Sequence, residues 1–279
     1  CNEAVKLAIK RSFGQLRGFV NGVLRAVIRE KDNIKLPNAS ENIVDYLNVV
    51  YSMPAWIVEQ LIVQYGMEEA SRIIKAMSNC DDSICVRANT SKEVLADIIK
   101  LLEEDGIEVS KSDIYENCLY LKNVDYLENT QAFNEGLISV QDLSSMLVAV
   151  IANPKKDDVC LDLCAAPGGK ALHLWELMDG SGKVIARDIS DYKVGLIEEN
   201  IDRTEALGVK AEVYDATILD KDMIEKADIV IADLPCSGLG IIGKKSDIKY
   251  NITKESQKEL VKLQRDILAN AWQYVKVGG

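Results

Sequence analysis

The chain has 279 residues, of which 48% are hydrophobic, and it carries a net charge of −11 at pH 7. This length suits two domains with buried cores. No apolar run is long enough to form a membrane-spanning helix, and the N-terminal sequence does not resemble a signal peptide, which argues against a membrane protein and a secreted one. A protein with this charge would have to bind nucleic acid through local basic patches rather than a global positive field.

The cysteines indicate a reduced, cytoplasmic protein. There are seven of them, an odd number without repeated close pairs, which favours free thiols over a disulfide framework. Cys80 and Cys85 are close in sequence, but no second pair or histidine lies near them. Two buried small side chains are therefore a better interpretation than a zinc site, and we predict no metal.

The first 150 residues divide into a helical segment and a mixed segment. Apolar residues at helical spacing predict two helices within residues 3–30, and the polar stretch 32–42 predicts a linker. Two helices make a poor core, so residues 1–45 are expected to be the end of a larger helical domain. Residues 46–150 are predicted to form a small α+β module, with helices over 55–65, 68–78, 91–104 and 141–151 and strands over 84–88, 107–109 and 118–121.

Residues 151–279 alternate between strand and helix patterns. A helix is predicted after each of the first three strands, and a long amphipathic helix over 254–275 follows the fourth. This alternation predicts an α/β fold with a mostly parallel sheet that binds ligands at the carboxyl ends of its strands. The predicted strands cover residues 159–163, 183–188, 211–214 and 229–233.

The segment from Asp162 to Lys170 reads Asp-Leu-Cys-Ala-Ala-Pro-Gly-Gly-Lys and directly follows the first of these strands. Its small residues allow a ligand to approach the backbone, and the following helix offers N–H groups to an anionic group. Asp188 ends the second strand, where dinucleotide folds bind a ribose diol, and Asp215 follows the third, where it could bind an adenine amino group. The loop lacks the Gly-x-Gly-x-x-Gly spacing of a pyrophosphate site, which favours S-adenosylmethionine over NAD.

The fourth strand ends in Asp233-Leu-Pro-Cys-Ser-Gly. Amino-group methyltransferases have an aromatic residue after this proline, whereas this chain has Cys236. C5 of cytosine is not nucleophilic until a thiolate has added at C6, so a thiol beside a methyl donor suits methylation of that carbon. A buried structural cysteine is the alternative, and the flanking Asp233 and Pro235 favour the functional interpretation.

By these motifs the chain resembles the Nol1/Nop2/Sun family of RNA 5-methylcytosine methyltransferases, and within it the bacterial Sun/Fmu branch that acts on small-subunit ribosomal RNA. Phe19–Arg25 is similar to the end of that branch's NusB-like domain, and Tyr51–Trp56 and Val86–Asn89 are similar to its RNA-binding module. Val140–Asp142 and Asp247–Tyr250 are further family signatures. The resemblance implies a NusB-like all-α remnant with a linker over 1–45, an RRM-like α+β module over 46–150, and a Rossmann-like class I methyltransferase domain over 151–279.

The resemblance also implies roles for individual residues. Asp188 would bind the ribose of S-adenosylmethionine and Asp215 its adenine, while Asp233 would lie between cofactor and base. Lys170, Asp233 and Cys236 would be catalytic, with Cys236 assisting release of the methylated base. The methionine end of the cofactor would be held by Cys164, Ala165, Ala166, Pro167, Gly168, Gly169 and Lys170.

In this family the nucleophile belongs to a later Thr-Cys motif, on the strand that follows a Gly-Gly turn. Gly278-Gly279 matches that turn. On this interpretation the methyltransferase domain is truncated after its fourth strand and helix. We therefore expect the 279-residue chain to be inactive by itself.

Other side chains allow two interpretations each. His173, the one histidine, is expected to pack beneath the loop 162–170, here called the glycine loop, rather than to act as a base. Lys170 could be a helix N-terminal charge instead of a catalytic group. The alternatives for Arg17, Arg25, Arg29, Lys244, Lys245 and Lys249 are contact with RNA phosphates and a solvated surface position. Arg87 is expected to contact RNA, because the resemblance places it in the RNA-binding module.

The predicted substrate is an unpaired or flipped cytosine of small-subunit ribosomal RNA, because C5 and C6 cannot be attacked within a stacked helix. We expect a monomer without membrane contact. Two other functions stay open. One is a non-catalytic assembly factor that binds cofactor and RNA, and the other is an amino-group methyltransferase that acts on protein or nucleic acid.

Overall fold

The computed structural model describes residues 1–78 and 82–279. Of the two cysteines predicted to be buried, Cys85 is buried and Cys80 lies outside the described residues. The chain forms two compact units, residues 1–80 with 240–250 and residues 81–239 with 251–279. This division differs from the predicted boundary near residue 45, because residues 46–78 group with the N-terminal helices. No helix in the described ranges is long and apolar enough to cross a membrane.

The first unit is helical. The two predicted N-terminal helices are present, and neither of these fully described helices has a buried side chain. Buried Leu47, Ile57 and Ile74 lie on the three helices that follow. The third helix was not predicted, and it begins where the Asn42 side chain accepts hydrogen bonds from the N–H groups of the first turn. The helices are α1 (Asn2–Lys10), α2 (Arg17–Glu30), α3 (Ile43–Val50), α4 (Ala55–Tyr65) and α5 (Met67–Ser78).

The second unit begins with an antiparallel sheet of four strands, counted over the described residues, in the order β2-β3-β1-β4. The βαββαβ sequence of elements is the ferredoxin-like arrangement. The predicted α+β module is therefore present, although its last strand was missed because that strand has three residues and depends on pairing with β1. The elements are β1 (Ile84–Ala88), α6 (Leu95–Glu104), β2 (Glu108–Lys111), β3 (Cys118–Lys122), α7 (Gln131–Asn134) and β4 (Ile138–Val140).

The same unit continues into a parallel sheet whose four described strands have the order β7-β6-β5-β8. This confirms the predicted Rossmann-like α/β sheet. Since β6 and β8 lie on opposite sides of β5, the strand order reverses at β5, where open α/β sheets bind ligands. The elements are α8 (Leu143–Ala152), β5 (Val159–Asp162), α9 (Gly169–Leu177), β6 (Lys183–Asp188), α10 (Asp191–Thr204), β7 (Val209–Val213), β8 (Ile229–Ile231) and α12 (Lys254–Tyr274). The short helix α11 (Ile248–Asn251) falls almost entirely in the first unit.

The connection between β7 and β8 differs from the prediction. Instead of a helix, the described residues 214–228 contain a single 3₁₀ turn over Lys221–Met223. Asp220 accepts a hydrogen bond from Arg187 Nη2 at 2.7 Å, and its N–H donates to the Tyr274 hydroxyl at 3.0 Å. These contacts with β6 and α12 hold the segment against the sheet without a helix of its own.

The chain that follows α12 returns to the edge of the sheet beside β8. After α12 the chain turns so that Val275 bridges Ala227 in parallel, just before β8. The N–H of Lys276 donates to the Ala227 carbonyl at 2.8 Å. The backbone just before β8 is therefore paired on this side.

The two sheets of the second unit are linked where α10 contacts the chain around α7 and β4. Arg203 on α10 donates to the carbonyls of Phe133 and Ile138 at 2.7 and 2.9 Å. Gly136 has a φ of +68°, and a Cβ there would lie 2.5 Å from the Arg203 carbonyl oxygen. Only glycine allows this contact without a shift of the backbone.

Candidate active site

A cavity of about 160 Å³ lies at the carboxyl end of β5, where the strand order reverses. Its wall is formed by the glycine loop, the start of α9, the segment that leads into α8 and the residues that follow β8. Most of the predicted cofactor residues line it, whereas Gly168, Asp188 and Asp215 lie outside its wall. The lining residues are Val140, Gln141, Asp142, Ser145, Asp162, Cys164, Ala165, Ala166, Pro167, Gly169, Lys170 and Asp233.

The glycine loop is fixed by backbone contacts that require small residues. Ala165 N–H donates to the Arg187 carbonyl at 2.8 Å, which pins the loop to β6. Gly168 has a φ of +106° and precedes α9 as its N-cap, and a Cβ there would lie 3.4 Å from Ile197 Cγ2. The loop therefore passes close to α10 and directs the first turn of α9 towards the cavity.

Asp188 and Asp215 lie at adjacent strand ends, as predicted. The Asp188 carboxylate is buried and accepts from the N–H groups of Ala166 at 3.1 Å and Ile189 at 2.8 Å, and from Lys193 Nζ at 2.9 Å. A ribose that bound here would accordingly share the Asp188 carboxylate with these three protein donors. Asp215 accepts from the hydroxyl and N–H of Thr217, which lower its pKa.

Lys170 and Asp233 meet at the cavity. Lys170 comes from the first turn of α9, and its Nζ lies 2.5 Å from Asp233 Oδ2 and 3.4 Å from Ser145 Oγ. The lysine side chain is 16% exposed and the aspartate side chain 59%, so the ammonium group is mostly buried and the carboxylate is exposed. Two residues that are 63 positions apart are therefore joined by a charge-assisted hydrogen bond.

The cysteines near the cavity differ in their environment. Burial, and then the nearby Asp188, raises the pKa of Cys164 to about 11, so this residue stays a thiol at neutral pH. Cys236 is exposed, lies three residues after Asp233 and is not part of the cavity wall. Its loop is held by α12, since Gln264 Nε2 donates to the Pro235 carbonyl at 2.8 Å. Of the two, Cys236 is the accessible thiol.

Two polar residues at the cavity had no predicted role. Asp162 ends β5 and is fully buried, which raises its pKa to about 7. Among the described residues, its Oδ2 and the Nε2 of Gln141 have no hydrogen-bond partner. The sequence signal was available for both, since Asp162 opens the glycine motif and Gln141 belongs to the Val-Gln-Asp signature.

The structure corrects two of the predicted RNA contacts. Arg87 is 1% exposed and its guanidinium bonds to Glu176, so it cannot reach phosphates. Lys249 is also buried, with Nζ 5.5 Å from the Tyr250 ring centroid. Both corrections have the same cause, because the local sequence around a basic residue in a short strand or turn is the same whether the side chain faces solvent or the interior. The other basic residues predicted as possible RNA contacts are exposed, namely Arg17, Arg25, Arg29, Lys244 and Lys245.

His173 is buried, as predicted for a packing residue. Its Nε2 lies 3.0 Å from the Tyr115 hydroxyl, which belongs to the ferredoxin-like module. Burial, and then the positive charge of Arg87, lowers its pKa to about 2. The imidazole is therefore neutral at physiological pH.

Comparison with known proteins relates the chain to methyltransferases. Residues 149–279 match the family "16S rRNA methyltransferase RsmB/F", and residues 53–125 match the ferredoxin-like domain of RsmF/B-like methyltransferases. Over its full length the chain is 37% identical to the probable ribosomal RNA small subunit methyltransferase B of Bacillus subtilis, and it spans 62% of that protein.

Two solved structures extend this similarity to the fold. The crystal structure of PH0851 is 31% identical with a TM-score of 0.88, over 99% of this chain and 61% of that one. A methyltransferase homologue from Pyrococcus horikoshii is 26% identical with a TM-score of 0.71, over 82% of this chain and 72% of that one. Residues 53–125 and 149–279 are therefore a ferredoxin-like domain and a methyltransferase domain of the RsmB/F type.

Proposed function

We propose that this chain carries the cofactor site of an enzyme that methylates C5 of a cytosine in small-subunit (16S) ribosomal RNA with S-adenosylmethionine. The observation that carries the proposal is the Lys170–Asp233 pair at the cavity, with the accessible thiol of Cys236 three residues further on. The name of the B. subtilis relative, of which this chain spans about three-fifths, supports a ribosomal RNA substrate.

S-adenosylmethionine is the cofactor, and the chain's residues fit it. Asp162 Oδ2 is a buried acceptor that lacks a partner at the cavity, and buried polar atoms normally have one. The loop 164–170 would hold the amino-acid end, Asp188 the ribose and Asp215 the adenine. When bound, the cofactor supplies an electrophilic methyl group.

The chemistry of cytosine determines what the protein must add. A thiolate adds to C6, and the electron density that this addition moves into the ring makes C5 nucleophilic enough to take the methyl group. Removal of the C5 proton and expulsion of the thiolate then restore the aromatic ring. In this scheme Asp233 accepts a hydrogen bond from the base, and Lys170 orients that carboxylate through its own hydrogen bond.

We assign Cys236 to the release step rather than to the addition. The family resemblance gives the nucleophile to a Thr-Cys pair, and no Thr-Cys pair occurs among the 279 residues. Cys164 remains protonated because of its raised pKa, and it cannot replace that nucleophile. The 279-residue chain is thus expected to bind cofactor without methylating RNA.

RNA would be bound by the ferredoxin-like module and by the exposed Arg25, Lys244 and Lys245. Residues 1–45 are proposed to be part of a NusB-like helical domain. The substrate cytosine must be unpaired or flipped, since a stacked base hides C5 and C6. The enzyme is proposed to act as a cytoplasmic monomer without a metal.

The test uses the full-length product of the gene that encodes this chain. It would be incubated with tritiated S-adenosylmethionine and unmethylated small-subunit ribosomal RNA, and the RNA would be digested to nucleosides. We expect label in 5-methylcytidine. Label in N-methylated nucleosides or in protein would support an amino-group methyltransferase, and cofactor binding without any transfer would support an assembly factor.

A further inference from the structure

We propose that Gln141 binds the carboxylate at the amino-acid end of the cofactor, together with the N-terminus of α9, and that Arg87 of the ferredoxin-like module holds Gln141 in place. This inference rests on the proposed use of S-adenosylmethionine. It makes cofactor binding depend on a strand that lies outside the methyltransferase domain.

Arg87 connects the two sheets of the second unit. It is the fourth of the five residues of β1, lies opposite Cys118 and Ser139, and is almost completely buried. Its Nε and Nη2 donate to the two carboxylate oxygens of Glu176 on α9 at 2.8 and 2.6 Å. Its Nη1 donates to the Gly169 carbonyl at 3.0 Å and to Gln141 Oε1. The bidentate ion pair fixes the guanidinium in one orientation.

The orientation of Gln141 follows from the chemistry of arginine. A guanidinium has only donors, so the amide of Gln141 must present its oxygen to Arg87. Its Nε2 then points the other way, and within the described residues this buried N–H₂ group has no acceptor. A buried donor without a partner is unfavourable, and a ligand that brings an acceptor removes that cost.

The surroundings of Gln141 Nε2 favour an anionic acceptor. The amide packs on Gly169, the first residue of the nine-residue helix α9, and a Cβ at Gly169 would lie 3.8 Å from Nε2. The first-turn N–H groups of a helix have no partner within the helix and attract negative charge. The side-chain amide and the helix terminus therefore offer donors to the same point.

Asp162 indicates which kind of anionic ligand fits the cavity. Its Oδ2 is an acceptor without a partner among the described residues and lines the same cavity as Gln141. The cavity thus provides donors for an anion and, separately, an acceptor for a cation. The zwitterionic amino-acid end of the cofactor carries both groups, whereas cytosine carries neither charge. This favours the cofactor over the base as the partner of Gln141.

The experiment measures binding of three ligands to the 279-residue chain by calorimetry. S-adenosylhomocysteine has the whole amino-acid end, its decarboxylated analogue lacks only the carboxylate, and methylthioadenosine lacks both charged groups. Gln141→Leu removes the donor at nearly constant size. It should weaken S-adenosylhomocysteine about 10- to 150-fold, the range expected for one lost hydrogen bond to a charged group. Binding of the other two ligands should change less than twofold.

Arg87 is a positioning residue in this scheme and is tested by non-additivity. Arg87→Met should weaken S-adenosylhomocysteine selectively, and Arg87→Met/Gln141→Leu should be no weaker than Gln141→Leu alone. Arg87→Lys should recover part of the affinity. Gln131→Leu is the matched control, because Gln131 is exposed on α7 and its side chain donates to Glu135 on the surface. Gln141→Leu gives the decisive result even where Arg87→Met does not fold.

Two results would overturn the inference while leaving the proposed function intact. One is equal affinity of Gln141→Leu and the parent for S-adenosylhomocysteine. The other is an equal loss of affinity for all three ligands, which would indicate a general structural role. Failure of the parent chain to bind S-adenosylhomocysteine at all would overturn the proposed cofactor site together with this inference.

Discussion

Asp162→Asn should change how the stability of the chain depends on pH. Burial raises the pKa of this carboxyl from 3.8 to about 7, so the folded state binds the proton more tightly than the unfolded state. A carboxyl of this kind makes the folded state progressively less stable as pH rises from about 4 to about 7. The difference between the two pKa values corresponds to about 4 kcal/mol, as an order of magnitude.

Asparagine has the same shape and no charge, so it should abolish this loss. Its Oδ1 can still accept from the Cys164 N–H, which Asp162 binds at 3.4 Å. We therefore expect the variant to be more stable than the parent above pH 7 and to differ little from it near pH 4. The assay is urea denaturation at pH 4, 5, 6, 7 and 8, compared by midpoint at constant m-value.

Asp179→Asn is the control for this experiment, because that carboxylate is exposed and, among the described residues, pairs with the exposed Lys156. Its stability profile should run parallel to that of the parent. If the curves of Asp162→Asn and the parent were also parallel from pH 4 to pH 8, Asp162 would not titrate in this range. The reasoning from its burial would then be refuted.

Three further predictions concern catalysis, cofactor binding and packing. In the full-length product, Cys236→Ser should allow the covalent addition but slow release, so RNA–protein adducts should accumulate on denaturing gels. Loss of both adduct and methylation would instead make Cys236 the nucleophile. Asp188→Ala should weaken S-adenosylmethionine by about 1–3 kcal/mol, because polar partners are left unpaired, and equal affinities in calorimetry would remove Asp188 from the site. Gly136→Ala should destabilise the chain by at least about 2 kcal/mol in urea titrations, since its φ of +68° and the Arg203 carbonyl leave no space for a Cβ. Gly195→Ala on α10 has open space and should be neutral or stabilising, and equal effects of the two substitutions would argue against the close approach at Gly136.

Much of the methyltransferase domain could be predicted from the sequence, because its determinants are local. A strand followed by small residues and a helix indicates the glycine loop through backbone sterics alone. Alternating strands and helices imply parallel pairing, which brings Asp188 and Asp215 to the same edge of the sheet. The motifs around Asp162 and Cys236 were sufficient to indicate the family.

The tertiary structure alone decided which polar side chains face the interior. Arg87 occupies a short strand in which solvent-facing and buried positions carry the same pattern, and its partner Glu176 is 89 residues away. The orientation of Gln141 depends in turn on Arg87, since only the guanidinium requires the amide oxygen on its side. The salt bridge between Lys170 and Asp233 likewise depends on β8 lying next to β5. Such contacts are set by long-range strand order and by burial of paired charges, which local propensity and periodicity do not encode.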